Sequence, residues 1–517
     1  MLNISTKKQF IFYTVLIAAI IIIFNLVSRS LFFRLDLTEN KMYSLSNSSK
    51  SVIEKLDDRM VTKVFFSKDL PGKYANSRRY LQDLLEEYQA YSKGDFHFEF
   101  INPDDNQEAQ NEARGFGIPP VQLQVVENDK LEIKNVYMGL VFLYNDKKEA
   151  LPIIQTTEGL EYDLTSSIKK ITATDLKKVG IVSPETKEVS TRKLQQLLDK
   201  TYSIQKVSLE NEIPIDVNTV LMNGVEDSLS MDELYNLDQF LMRGGKLFIG
   251  QGRLKTELQQ GFAAEIHTNM FGFLEHYGFH IGKDLILDRR CGQIRVQQRH
   301  GFFSFANAIE YPPFPLIHNF SKDNIIVKNL EEVQAFFINE ISPIDSTINF
   351  TSLMKTSDKT GSISGPYYNI YPMRNPQMGI FPLKHKTIAA MVEGNLKSYF
   401  ANNSEYSQKE NFQSQGSDVQ ILLISDNEFF NDYRAGSIPE NTDFILNGID
   451  YLSGDRELLE IRSRGVTTRP LDQLSDGTRR IWKWLNIFLP ALLVVLLGLY
   501  RWKRNSNKRK LLEEIYG

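Results

Sequence analysis

Cys291 is the single cysteine of this 517-residue chain, and it stands in the run Asp-Arg-Arg-Cys-Gly-Gln. Acyl transfer by a cysteine needs a thiol presented on a tight strand-to-helix turn with a base beside it. No Gly-x-Cys-x-Gly elbow surrounds Cys291, and no Gly-x-Ser-x-Gly elbow occurs elsewhere. A lone cysteine also excludes an intrachain disulfide, a CxxC pair and a cysteine zinc site. His276 and His280 lie four residues apart, as helix-borne metal ligands would, with His267 nearby. Gly278 between them is expected to end the helix, so the two rings need not share a face. Asp426, Glu428 and Asp432 follow the apolar run Ile-Leu-Leu-Ile-Ser. Ligands of open α/β sheets bind at such strand ends, which makes an oxygen-ligand cation site one reading. Capping of a following helix by Ser425 or Asp426 is the simpler one. Gly250–Arg253 (GQGR) occupies an equivalent edge and would suit an anion. Glu158, Glu161 and Asp163 sit where carboxylates offset a helix dipole. No GxxxxGKS or GxxxxGKT motif occurs, so the isolated chain is expected to lack ATPase activity. Leu452–Asp455 (LSGD) reads as a helix end. The expectation is no catalytic, cofactor-binding or metal-ligating residue, and no cofactor.

The elements that would position these residues fall into two runs. In the first, Val52, Ile53 and Leu56 form a helix stripe after the caps Ser46 to Ser49, and Val61 to Phe66 reads as a strand. Arg78 to Ser92 reads as a helix burying Tyr80, Leu84, Leu85 and Tyr88. A strand over 96–102, a short helix over 107–114, and strands over 121–126 and 136–144 follow, then a bridging helix over 150–172. The order β-α-β-α-Pro-β-β is similar to a thioredoxin-like fold. That resemblance implies a cis bond at Ile118–Pro119 or Pro119–Pro120. It implies a scaffold without redox chemistry, because no thiol pair is present.

The second run alternates strands with helices from residue 176, which implies a parallel sheet covered on both faces. Ser230 to Gly245 is its best-marked helix. Ser230 and Glu233 form a capping box, Leu234, Leu237, Phe240 and Leu241 are its buried face, and Gly244 and Gly245 are its stop. Residues 271–288 give a helix, a glycine turn and a strand. A long insertion rich in Phe, Pro and Tyr, with few expected strands, precedes the strand at 419 and a last helix over 441–455.

Apolar stretches stand at both ends, Phe10 to Val27 and Leu485 to Tyr500. Spanning a bilayer takes roughly 20 apolar residues, and each stretch is near that length. Trp482, Trp484 and Trp502 suit the interfaces of the second. Val27–Ser30 is a poor cleavage site, which favours an uncleaved anchor over a signal peptide. Arg501, Lys503, Arg504, Lys508, Arg509 and Lys510 follow the second stretch, against Arg479, Arg480 and Lys483 before it. The positive-inside rule then places both termini in the cytoplasm and the middle outside, in the periplasm of a bacterium. A net charge of −4 argues against a nucleic-acid binder.

DLTENKMYSLS, EGLEYDLTSSI, LYNLDQFLMRGGKLFIG, LLISDNEFF and FILNGIDYLSGD, between two terminal spans, resemble the GldG family. These are auxiliary ABC-transporter components associated with gliding motility in Bacteroidetes. The resemblance implies a GldF-like permease and a GldA-like ATPase as partners. It also implies an outward domain related to the class I glutamine amidotransferase and intraflagellar-transport folds. The expected architecture is therefore α/β, with an N-terminal transmembrane anchor (1–30) and a thioredoxin-like domain (31–175). A flavodoxin-like or amidotransferase-like parallel-sheet domain (176–460), a juxtamembrane linker (461–480) and a C-terminal transmembrane helix with a basic tail (481–517) follow. The expected function is a non-catalytic, inner-membrane-anchored structural, interaction or substrate-binding subunit. A small-ligand-binding envelope protein is the alternative, and an amidotransferase-like hydrolase comes after it.

Overall fold

A four-stranded sheet forms first along the chain, because residues 60–66 and 138–144 are apolar on both faces. In the computed structural model the described residues are 13–20, 44–68, 70, 72–127, 130–157, 159–182, 191–300, 303–328, 330–372, 376–432, 438–462 and 476–516. They belong to two compact units, Met1–Thr467 and Thr468–Gly517.

The first sheet contains β1 (Met60–Phe66), β2 (Phe96–Ile101), β5 (Met138–Tyr144) and β6 (Lys147–Leu151), in the order β2-β1-β5-β6. β1 runs parallel to β2 and antiparallel to β5, and β5 runs antiparallel to β6. Strand side chains alternate between faces, and the two faces carry different helices. Val64, Phe66, Leu140 and Phe142 pack with Leu81, Leu84, Leu85 and Tyr88 of α2 (Gly72–Tyr91) and with Leu160, Leu164 and Ile168 of α4 (Leu160–Thr172). Phe65 and Val141 pack on the other face with Ala113 of α3 (Gln107–Gly115). The bridging helix is shorter than expected: residues 147–151 form β6, and α4 starts only at Leu160. α1 (Asn47–Glu54) begins at a capping serine, Ser46, whose Oγ accepts from the Ser49 N–H at 2.9 Å.

The expected cis proline is not found. The bonds before Pro119 and Pro120 are trans, and the cis bond among the described residues is Gly365–Pro366. The Gly-Ile-Pro-Pro run closes a helix instead. Gly117 takes φ +82°, and the Ile118 N–H bonds back to the Ala113 carbonyl at 2.9 Å. The chain then enters β3 (Val121–Glu127) and β4 (Lys130–Val136), a two-stranded ribbon outside the sheet. The prolines thus precede an appended hairpin and not a strand of the sheet.

The second sheet has eight strands. β7 (Lys178–Val182), β8 (Ser203–Val207), β9 (Val217–Asn223), β10 (Lys246–Gly250) and β24 (Gln415–Ile424) are parallel, in the order β8-β7-β9-β10-β24. β23 (Thr387–Lys397), β20 (Phe350–Lys355) and β17 (Asn319–Phe320) extend it beyond β24, each antiparallel to its neighbour. The sheet is therefore mixed where an all-parallel one was expected. α6 (Met231–Met242) and α7 (Met270–His276) cover one face. α5 (Arg192–Leu198) and α8 (Pro439–Leu452) cover the other.

α6 matches its sequence signature. Ser230 Oγ accepts from the Glu233 N–H at 3.2 Å, and the Glu233 carboxylate accepts from the Ser230 N–H at 2.7 Å. Gly244 leaves the helix at φ +97°, and the Gly245 N–H bonds back to the Phe240 carbonyl at 2.9 Å. Ser230→Ala is expected to cost about 1 kcal/mol of stability, measured by urea denaturation.

The insertion expected to be strand-poor is rich in strands. β15 (Cys291–His300) and β16 (Phe303–Ile317) form a long antiparallel ribbon, and β18 (Val333–Gln334) joins its base. Two prolines of this insertion fall where the ladder is interrupted. The register jumps from Gln293↔Glu310 to Cys291↔Pro315, so Pro312 and Pro313 lie in the irregularity and need no ladder hydrogen bond. β11 (Leu254–Glu257), β12 (Phe262–Glu265) and β22 (Tyr367–Asn369) form a small sheet. β13 (Phe279–Ile281) pairs with β19 (Ile341–Pro343), and β14 (Leu285–Asp288) pairs with β21 (Thr360–Ile363). α9 (Arg456–Arg462) closes the described part of this unit.

In the second unit, α10 (Asp476–Tyr516) is a continuous helix containing Pro490. Its stretch Gly477–Asn507 is long and apolar enough to cross a membrane. Of the expected first span, residues 13–20 are helical, and the remainder lies outside the described residues.

Candidate functional site

The order β8-β7-β9-β10-β24 reverses direction between β7 and β9, and ligands of such sheets bind beyond the carboxyl ends of the strands. Three loops meet at that edge: Gly224–Glu226 after β9, Gln251–Arg253 after β10 and Ser425–Asp432 after β24. Asn427 stitches them together. Its Oδ1 accepts from the Gly252 N–H at 2.6 Å and from Gln251 Nε2 at 3.2 Å. Its Nδ2 donates to the Leu254 carbonyl, and its own carbonyl accepts from the Gly224 N–H. Gln251 bonds both the N–H and the carbonyl of Val225. Glycine is required at 224, where a Cβ would lie 2.5 Å from Asn427 Oδ1 and 2.7 Å from the Gly250 carbonyl oxygen.

This packing overturns the anion reading of Gly250–Arg253. An anion cradle needs free N–H groups. The Gln251 N–H donates to the Ile424 carbonyl, Gly252 to Asn427 and Arg253 to Asn339 Oδ1 at 2.8 Å. The Arg253 side chain is also engaged. Its Nε donates to the Ile281 carbonyl at 2.6 Å, and its guanidinium lies 4.0 Å from the Phe271 ring.

The three carboxylates after β24 do not converge. Asp426 Oδ2 accepts from the Phe336 N–H at 3.0 Å, and Oδ1 accepts from the Glu428 N–H at 3.1 Å. This fixes a turn, so Asp426 caps no helix here, and Ser425 donates to the Asn339 carbonyl at 2.7 Å instead. Asp432 accepts from the Lys193 and Leu194 N–H groups and caps the first turn of α5 from across the edge. A recess lined by Glu226, Leu254, Phe336, Phe337, Asp426 and Glu428 encloses about 20 Å³, the room of a single water molecule.

The histidines are dispersed. His276 Nε2 meets the Lys397 carbonyl at 2.8 Å, and His280 Nδ1 meets Glu275 at 3.0 Å. His267 Nδ1 meets the Glu265 carbonyl at 3.2 Å, and Gly278 breaks the helix at φ +99° as expected. Among the described residues no group of three or more His, Cys, Asp or Glu is arranged to hold a metal ion.

Cys291 begins β15 and is half-buried. Burial, reinforced by Glu310, pushes its thiol up to about 11. An ordinary thiol titrates near about 8.5, so Cys291 stays neutral and weakly nucleophilic at physiological pH. Its alkylation by iodoacetamide is expected to remain slow at pH 8 and to rise only towards pH 11. In the urea-unfolded chain the rise is expected near the ordinary value.

Sequence reasoning did not single out the other polar centre, at the opposite, amino edge of the parallel strands. Asp450 of α8 is fully buried. It lies 3.0 Å from Arg462 of α9 and accepts from the Tyr202 hydroxyl at 2.7 Å. Arg462 also donates to Asn447 Oδ1 at 2.9 Å and stacks 4.1 Å from the Tyr162 ring of α4. Burial pushes the Asp450 carboxyl up, with Arg462 and Tyr202 opposing. The available signal was an aspartate in the apolar helix pattern Phe-Ile-Leu-Asn-Gly-Ile-Asp-Tyr-Leu.

Fold and sites together define a mixed α/β scaffold with self-bonded strand-end loops, carried on a chain that also has a long apolar helix. The chain belongs to the family described as an ABC-type uncharacterized transport system, whose model matches residues 176–448. Membership gives it an accessory role in transport, and the family is not one of enzymes. A domain of unknown function matches residues 39–143. An uncharacterized protein of Borreliella burgdorferi is 22% identical over 505 residues, covering 92% of this chain and 94% of that protein. Among solved structures, the mmIFT52 N-terminal domain aligns with a TM-score of 0.32 and 15% identity, over 53% of this chain and 97% of that one. The exo-β-1,4-mannosidase Op5Man5 from an Opitutaceae bacterium aligns with a TM-score of 0.25 and 10% identity, over 73% of this chain and 50% of that one.

Proposed function

We propose that this chain is a membrane-anchored, non-catalytic subunit of an ABC transport complex of the GldG type, associated with gliding motility. Its partners are then a GldF-like permease and a GldA-like ATPase. The observation that carries the reading is the helix Gly477–Asn507, apolar and exposed along its length, on a chain of a transport-system family. The motifs that resemble GldG lie in elements of the fold: LYNLDQFLMRGGKLFIG spans α6 and β10, and FILNGIDYLSGD spans the end of α8. The self-bonded loops at the carboxyl edge support a scaffold role over a ligand-binding one.

In this reading the order β2-β1-β5-β6 is a thioredoxin-like domain, and β8-β7-β9-β10-β24 is the core of a flavodoxin-like one. Both termini are cytoplasmic and the body is periplasmic, following the basic excess after the second apolar stretch. Reporter fusions at residue 517 and within the body test the topology, and an external C-terminus overturns it. Affinity purification from native membranes tests the partnership. Permease and ATPase chains are expected to co-purify, and their absence overturns the reading.

A further inference from the structure

The first described residues of the body lie beside the last ones. Ser48 of α1 donates to Glu460 of α9 at 2.6 Å, and Lys55 lies 3.6 Å from Glu457. α9 packs against α1, α4 and α8 together. Both segments are fastened inward by carboxylates. The Leu45 N–H donates to the buried Glu87 at 2.6 Å, and the Ser46 N–H donates to Glu161 at 2.7 Å. Ser49 Oγ donates to the same Glu161 oxygen at 2.6 Å. On the other side Arg462 is held by Asp450 and Asn447 from the large sheet's helix and by the Tyr162 ring from the first sheet's helix. Asp455, at the start of α9, takes Lys169 of α4 at 3.1 Å and Lys177 ahead of β7 at 3.0 Å.

A helix of two turns has little stability of its own, so α9 is ordered by these contacts and not by its sequence. It touches both sheets' helices and the entry helix at once. Nothing in the strand-end loops requires such a junction. It stands where the chain comes from the N-terminal apolar stretch and where it leaves for the C-terminal one.

We propose that α1, α4 and α9 form a clasp that holds the roots of the two membrane segments together at one point of the body. Displacement of α1 or of α9 then moves both sheets as one piece. Arg462 is the positioning residue that locks α9 in place. The tethering part of this proposal rests on the two-span reading given under Proposed function.

The test uses the full-length chain in membranes, with Cys291→Ser as background. Lys55→Cys and Glu457→Cys place two exposed positions within reach of a short bis-maleimide, the native side chains being 70% and 38% exposed. Joined peptides from these two positions, identified by mass spectrometry, are the expected result. Failure to join, when each introduced thiol reacts singly, overturns the clasp. Hydrogen exchange then reads the lock. Arg462→Met is expected to raise exchange in α9, α1 and α4 by at least roughly 100-fold, and by more than in α6. Arg462→Lys, which keeps the charge, is expected to raise it less over the same three helices. A rise confined to α9 in both variants overturns the coupling. Alkaline carbonate separates the two readings. Release of a joined chain from membranes overturns the tethering and the anchored subunit together, while the joint between α1 and α9 stands.

Discussion

Arg462→Met is expected to lower the unfolding free energy of the body by about 3–5 kcal/mol, the usual cost of removing one partner of a buried ion pair. The loss of attraction is the smaller part. Asp450 has no exposed surface, so without Arg462 its carboxylate is left in a low-dielectric site with the Tyr202 hydroxyl as its side-chain donor among the described residues. The urea midpoint should fall with an unchanged slope. The pH dependence gives an independent sign. The Asp450 carboxyl is already held above its usual range by burial, and removal of the guanidinium raises it further. The folded state then binds a proton more readily than the unfolded one, so the stability of the variant rises as pH falls through the raised value. The deficit is expected to be largest above that value and to shrink on acidification, since a neutral carboxyl is cheaper to bury. A second substitution, Asp450→Leu, should recover much of the loss, because apolar replacement of a whole buried pair is often neutral. A deficit below about 1 kcal/mol at neutral pH, the range of an exposed pair, would sink the buried-lock account.

Sequence pattern revealed the elements whose signals are local and missed those set by distant contacts. Ser230, Glu233 and Gly244 announce α6 because capping and left-handed glycine are chemistry of adjacent residues. The strands β1, β7, β9, β10 and β24 were legible as apolar runs. By contrast, β4 and β6 are Lys- and Glu-rich ribbons whose order comes from their partners, so composition hid them. β16 carries Pro312 and Pro313 in a register break with β15, visible only once the partner strand is known. The same limit governs the site. Gly250–Arg253 has the composition of an anion loop, but Asn427, some 175 positions away in sequence, takes the Gly252 N–H. Asp432 looked like a metal ligand and instead caps α5, a helix some 240 residues earlier. Side-chain type announces what chemistry is available, and long-range contacts decide whether it is used internally.

Val494→Arg is expected to weaken the hold of the C-terminal helix on the membrane and on a permease partner, and Cys291→Ser to do neither. Val494 lies near the middle of Gly477–Asn507 and is 70% exposed, so its surroundings in a bilayer would be lipid or a neighbouring helix. An arginine at the centre of a spanning helix costs roughly 2.5–3.5 kcal/mol on insertion scales. The basic residues begin only at Arg501, about two turns along the helix, so the new guanidinium must snorkel past Leu496 and Leu499 or open a water defect. Either outcome disturbs helix packing with a permease, where close apolar contact supplies the association energy. Cys291 sits in a β-ribbon of the body with a neutral, half-buried thiol, so serine changes one atom far along the chain from the helix. The measurement is alkaline carbonate extraction followed by co-purification of the permease with each variant. Retention of partner by the arginine variant together with its loss from the serine variant would move the docking surface from the apolar helix to the body. Retention by both would show that the body alone carries enough contact to hold the complex, and the anchor would then serve only to concentrate the chain at the membrane surface.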